Sequence, residues 1–197
     1  VVNITVDRDG DTDKYRLTRA FIEIPFVEDS LLDTNTYLIT LYSVGSDADE
    51  EFMDALERFK QSRAKRLILD LRDNPGGTLG ETRVILDSLI PVDKRLITIQ
   101  TQEETYFMYS YQDAVIDLSR YETVVLINGG TASAAEIIAG TMEDYFPGTV
   151  HLLGEKTYGK GSVQQVIALP GGAGLKYTTA KWFTGRNRVG IDGIGII

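Results

Sequence analysis

The chain has 197 residues, 43% of them hydrophobic and 25% charged, the balance of a globular domain long enough to bury a core. Its formal net charge of -9 argues against a nucleic-acid backbone or an anionic membrane surface as partner, and no apolar run approaches the roughly 20 residues of a membrane span. Cysteine is absent and His151 is the single histidine, which excludes thiol catalysis, disulfides and a histidine-rich metal site.

Residues 1–25 read as a hairpin or two edge strands. Val2, Ile4 and Val6 alternate, Asp9-Gly10-Asp11 turns, Tyr15 and Leu17 follow, then Phe21, Ile22 and Ile24, and Pro25 ends the segment. A strand is expected at 37–44. The stretch 47–63 carries Phe52, Met53, Leu56 and Phe59 at helical spacing, and its acidic first turn suits the helix dipole. Leu67-Ile68-Leu69 is a short buried strand leading into Asp70-Leu71-Arg72-Asp73-Asn74-Pro75-Gly76-Gly77, after which 80–89 reads as helix. Strands are expected at 96–101, 105–109 and 123–127, and a helix from Ser133 to about Tyr145. Glycine turns separate further strands at 150–153, 163–169, 175–183 and 188–191. Alternating strands and helices through the middle predict an α/β layered domain with a largely parallel sheet, its boundary near Pro25.

Two motifs carry the chemistry. In Gly130-Thr131-Ala132-Ser133-Ala134-Ala135-Glu136-Ile137 a serine sits among small residues where the strand Val124-Val125-Leu126-Ile127 turns into a helix. Such a turn holds a hydroxyl exposed beside backbone N–H groups, as a nucleophile and its oxyanion require. In Gly159-Lys160-Gly161-Ser162-Val163-Gln164, a strand from residue 160 onward would turn Lys160, Ser162 and Gln164 to one face, so the amide could orient the amine. Together the motifs point to a hydrolase with a serine nucleophile and a lysine base. His151, at the edge of a short apolar run, reads as the end of a strand, and Lys156 as a solvated side chain.

Asn74-Pro75-Gly76-Gly77 follows a buried strand and precedes a helix, so it can aim an N–H at a reacting carbonyl oxygen; on its own it reads as a tight turn. The spacing from Gly154 to Gly159-Lys160 is most of a phosphate-binding loop. Gly161 stands where Ser or Thr is required, however, and the β-like sequence after it offers no helix N-terminus to phosphate.

The blocks 68–77, 124–128, 131–137 and 154–164, in this order, resemble the catalytic core of the C-terminal processing peptidases, or tail-specific proteases, of serine peptidase family S41. The family usually shows Ser-Ala-Ser-Ala-Ser-Glu in the third block. Here Thr131 and Ala135 replace the outer serines, and Ser133 matches the family's nucleophile. The resemblance covers residues 20–197 and implies a ClpP/crotonase-like α/β fold, usually preceded by a PDZ domain. Residues 1–25 are then expected to be terminal strands of a PDZ-like domain or a strap, with the catalytic core at 26–197. Both ends are expected to be truncations, since family sequences typically continue past 193–197 with Pro-Asp.

The resemblance also assigns roles. Ser133 forms an acyl-enzyme, Lys160 is the general base, Gln164 aligns the amine, and the oxyanion is held by the N–H of Ala134 with one from Gly76 or Gly77. A free lysine is charged at neutral pH, so this chemistry needs a pocket that desolvates the ammonium. No cofactor or metal is expected. The implied substrates are proteins or peptides with apolar C-terminal tails, and the implied location is the bacterial cell envelope, the periplasm or outside the cell. Two other classes share the fold: a catalytically silent or truncation-inactivated scaffold, and a crotonase-like acyl-CoA enzyme, which would not require Ser133 and Lys160 together.

Overall fold

Two main sheets and a separate hairpin make up the computed structural model, which describes residues 1–20, 24–186 and 190–197. Phe21, Ile22 and the start of the strand expected at 188–191 lie outside the described residues; from that stretch, Gly190 forms an isolated antiparallel bridge to Phe183.

The hairpin joins β1 (Val2–Arg8) to β2 (Asp11–Leu17). Asp9 and Gly10 turn it with φ of 55° and 91°, the positive pair that matches the twist of a tight antiparallel hairpin. Among the described residues its strands pair only with each other, and they are exposed throughout.

The central sheet contains β3 (Val27–Leu31), β4 (Thr36–Leu41), β5 (Arg66–Asp70), β8 (Glu122–Ile127) and β9 (Val150–Gly154), in that spatial order. From β4 to β9 every pairing is parallel, while β3 lies antiparallel on the edge beside β4. Parallel neighbours need crossovers, and the helices supply them: α1 (Ala48–Ser62) between β4 and β5, and α3 (Ala134–Tyr145) between β8 and β9. The 3.6-residue period buries Phe52, Ala55, Leu56 and Phe59 of α1. Arg63 then ends the helix in the left-handed region at φ 63°. Burial of each of Phe52, Leu56 and Phe59 is worth roughly 1.5–3 kcal/mol.

The strand β3 was not expected from sequence. Its run Val27-Glu28-Asp29-Ser30-Leu31 buries only Val27, so an edge position leaves almost no hydrophobic signal. A second, antiparallel sheet also adds to the sequence reading. It is ordered β10 (Ser162–Ala168), β11 (Gly174–Thr184), β6 (Arg95–Gln100), β7 (Thr105–Tyr109), with α2 (Leu79–Asp87) preceding β6. Trp182 of β11 belongs to the same core as Leu86 and Ile138.

The parallel strands β5, β8 and β9 end together, and the segments 71–78, 128–133 and 155–161 leave their C-terminal ends side by side. That is where open α/β sheets form their crevices.

Candidate active site

The loop after β5 is built on Asn74, which is fully buried. Its Nδ2 donates to the Leu41 carbonyl at 2.7 Å, its Oδ1 accepts the Gly76 N–H at 2.8 Å, and its carbonyl accepts the Ala132 N–H at 2.9 Å. The Val44 N–H donates to the Gly76 carbonyl and the Thr78 N–H to the Val44 carbonyl, so Gly77 sits in a parallel bridge with Val44. Gly76 has φ of +87°, and a Cβ there would lie 2.7 Å from the Ala134 nitrogen and 2.8 Å from the Ser133 Cβ. Only a glycine lets this loop pass so close to the serine turn.

Because the Gly76 N–H is committed to Asn74, it is not available to an oxyanion. The N–H groups of Gly77 and Ala134 have no partner among the described residues. Gly77 also lines the cavity that contains Ser133. Upstream, Arg72 forks onto the Asp70 carboxylate, with Nη2 2.6 Å from Oδ2. Burial pushes the Asp70 carboxyl up, but hydrogen bonds from Arg72 outweigh it and hold it below the ordinary carboxylate value.

Between β8 and α3 the chain turns at Ser133, which has φ 56° and ψ -117°. A non-glycine residue at positive φ is costly and persists only where its surroundings fix it. The restraints are visible. Thr131 donates its hydroxyl to the Leu71 carbonyl at 2.7 Å, Asn128 Oδ1 accepts the Asp73 and Gly130 N–H groups, and the Tyr158 N–H donates to the Thr131 carbonyl. Ser133 caps α3, whose N-terminus favours negative charge beside it.

Glu136, one turn into α3, carries no exposed surface. Its Oε2 accepts the backbone N–H of Ser133 at 2.8 Å and that of Lys160 at 2.9 Å. Its Oε1 accepts the Thr157 hydroxyl at 2.5 Å and the Gly159 N–H at 2.7 Å. One buried carboxylate thus clamps the serine turn to the lysine loop. The signal for Glu136 in the sequence is the S-x-x-E spacing of a helix cap, within the motif around Ser133.

Ser133 and Lys160, both half-buried, line one cavity of about 400 Å³ together with Gly77, Leu79, Gln164 and Trp182. Gln164 lies on β10 and is exposed, and the ladder between β10 and β11 shifts register between Val163 and Gln164. Ser133 and Lys160 share a cavity, and among the described residues no hydrogen bond joins the Ser133 hydroxyl to Lys160. The P-loop-like spacing ends in a strand, with Gly161 leading directly into β10. His151 stands on β9 as an exposed strand residue, and Lys156 is exposed in the loop after it.

Comparison with known proteins identifies the family. The sequence profile of Peptidase family S41 matches residues 35–197. Probable CtpA-like serine proteases of Staphylococcus aureus and Staphylococcus haemolyticus are 31% and 30% identical to the chain over 183 residues, which is 93% of this chain and 36% of each relative. The chain therefore spans little more than a third of the curated relatives it matches. The solved structure of a photosystem II D1 C-terminal processing protease superposes with a TM-score of 0.76 at 28% identity, over 94% of this chain and 50% of that one. With its profile match across most of its length, the chain belongs to peptidase family S41.

Proposed function

We propose that the chain is the catalytic core of a serine endopeptidase that hydrolyses protein substrates near their C-terminal tails. The observation that carries this reading is Ser133 held at positive φ on a helix N-terminus, in a cavity it shares with Lys160 and Gln164. Family membership and the names of the CtpA-like relatives support the same reading.

In the proposed reaction the Ser133 Oγ attacks the scissile carbonyl carbon while Lys160 Nζ, in its neutral form, takes the hydroxyl proton. Negative charge develops on the carbonyl oxygen, which the N–H groups of Ala134 and Gly77 hold beside the positive end of α3. Collapse breaks the C–N bond, and the Lys160 ammonium returns the proton to the departing amine. Water then attacks the acyl-Ser133 ester, giving one proton to Lys160, which passes it back to Oγ as the acid leaves. Gln164 steadies the amine through its side-chain amide. Entering substrate draws Nζ and Oγ into hydrogen-bond distance by expelling water from the cavity.

On the same reading, residues 1–25 are the last strands of a PDZ-like domain or a strap from one, and the protein works in the bacterial cell envelope or periplasm or outside the cell. A chromogenic acyl ester tests the chemistry independently of protein substrates. Intact mass should show one acyl group, mapped to Ser133, in the wild type and none in Ser133→Ala. Acylation elsewhere, or none with an ester turned over by related peptidases, would refute the assignment.

A further inference from the structure

Two adjoining cavities meet at the candidate site, and the four residues common to both are Lys160, Ser162, Gln164 and Lys176. Three of these come from the sequence motif; Lys176 does not. It lies on β11 directly opposite Val166 of β10, and Gln164 pairs with Thr178 in the same ladder. Cross-strand partners share a face, as do residues two apart along a strand, so Lys176 stands on the face that carries Gln164.

Among the described residues Lys176 makes no ion pair, and it is exposed. Among the described residues Asp192 is the one carboxylate lining either cavity, and it is bonded to Lys181 at 3.0 Å. In a chain of net charge -9 the cleft is therefore locally cationic. A flexible ammonium at the mouth of a cleft whose inner wall includes Leu79, Val163 and Trp182 is suited to an extended ligand that combines an apolar side chain with a negative group.

We propose that Lys176 is a specificity-determining residue that recognises a carboxylate of the peptide substrate close to the scissile bond. The inference rests on the peptidase reading above and adds to it a chemical preference at one place in the cleft. Ser133 and Lys176 line the same cavity of about 400 Å³, so the recognised carboxylate lies close to the bond cleaved. It is either a Glu or Asp side chain or the free C-terminus of a tail ending there; the chemistry offered by Lys176 is the same.

The test separates binding from cleavage. Fluorescent decapeptides of one apolar background, with Glu, Gln or Lys at a single position and either a free or an amidated C-terminus, are titrated against the Ser133→Ala protein. They are then titrated against the same protein carrying Lys176→Ala, Lys176→Glu or Lys176→Arg. The expected result is about a threefold to tenfold tighter binding of the Glu or free-acid peptide over its neutral match, fading at high salt. The preference should persist with Arg, vanish with Ala and turn toward the Lys peptide with Glu. A Glu or free-acid response identifies which carboxylate is read. Equal binding of charged and neutral peptides, no binding of any of them, or a preference that survives Lys176→Glu in a protein of unchanged thermal melt would overturn the proposal. Cleavage by the Ser133-containing protein is scored separately, so a charge preference in binding without hydrolysis would fault the peptidase reading alone.

Discussion

Glu136 Oε2 accepts the backbone N–H of Lys160 at 2.9 Å, and the same oxygen accepts the N–H of Ser133. The side chain between the two candidate catalytic loops is thus an acceptor with all of its bonds directed inward. Glu136→Gln keeps the shape but replaces one acceptor oxygen with an NH₂ donor, which leaves at least one donor facing another. Bonds to a buried charged group are worth about 1.5–3 kcal/mol each. Destabilisation on the order of 3 kcal/mol by urea unfolding is expected, with a loss of turnover larger than the folded fraction accounts for. Wild-type stability and turnover would show that the clamp is dispensable.

Gly76 should be intolerant of the smallest side chain. Its positive φ and the 2.6 Å approach of a Cβ to the Ala132 carbonyl oxygen force any Gly76→Ala protein to shift the serine turn. Displacement of a catalytic group by about 1 Å costs on the order of a hundredfold in rate. Ester turnover is expected to fall by about that factor while circular dichroism shows the fold retained; turnover near wild type would mean the loop does not position Ser133.

The oxyanion assignment makes a contrasting forecast at Asn74, whose Oδ1 accepts the Gly76 N–H and whose Nδ2 bonds to the Leu41 carbonyl. Asn74→Ala frees a buried N–H and a buried carbonyl, so a loss of about 1–3 kcal/mol each is expected. The loop that presents the Gly77 N–H would loosen with it. The kinetic signature should be a lowered kcat with little change in KM, because the oxyanion forms only in the transition state. A pure KM effect would contradict it.

Folding stability should respond to pH at both extremes through Tyr37, Asp29 and Arg58. Burial pushes the Asp29 carboxyl up, but hydrogen bonds from Arg58 and Tyr37 outweigh it and hold it below the ordinary value. Burial and the bond to Asp29 push the Tyr37 phenol up to about 12. The Asp29 contribution is present above the unfolded carboxylate value near 3.9 and is lost as pH falls through the lower folded value. The Tyr37 contribution is full below about pH 10 and is lost as pH rises toward 12. Tyr37→Phe should flatten the alkaline decline in urea midpoint and weaken the acid one; identical profiles for the two proteins would refute the linkage.

Much of this was readable from sequence, for physical reasons that differ by element. The helix α1 announced itself through Phe52, Leu56 and Phe59, because a half-buried helix writes its period into the chain. The strands β5 and β8 showed as short apolar runs because parallel strands are covered on both faces. The edge strand β3 was invisible, since its side chains are mostly exposed. The strands of the second sheet were legible singly, but the pairing of Thr98 with Phe183 across the chain was not, because register between distant strands leaves no local trace. At the candidate site, Ser133, Lys160 and Gln164 stood out by motif. That Gly76 has its N–H tied back to Asn74, and that Glu136 joins two loops, are facts of three-dimensional closure.

The most direct test of the central claim is cleavage of a disordered protein with an apolar C-terminal tail by the wild type, Ser133→Ala and Lys160→Ala, followed from pH 6 to about 10. The account predicts cleavage near the tail by the wild type alone. Cleavage that persists in Ser133→Ala, or a rate in Lys160→Ala equal to the wild type, would contradict it.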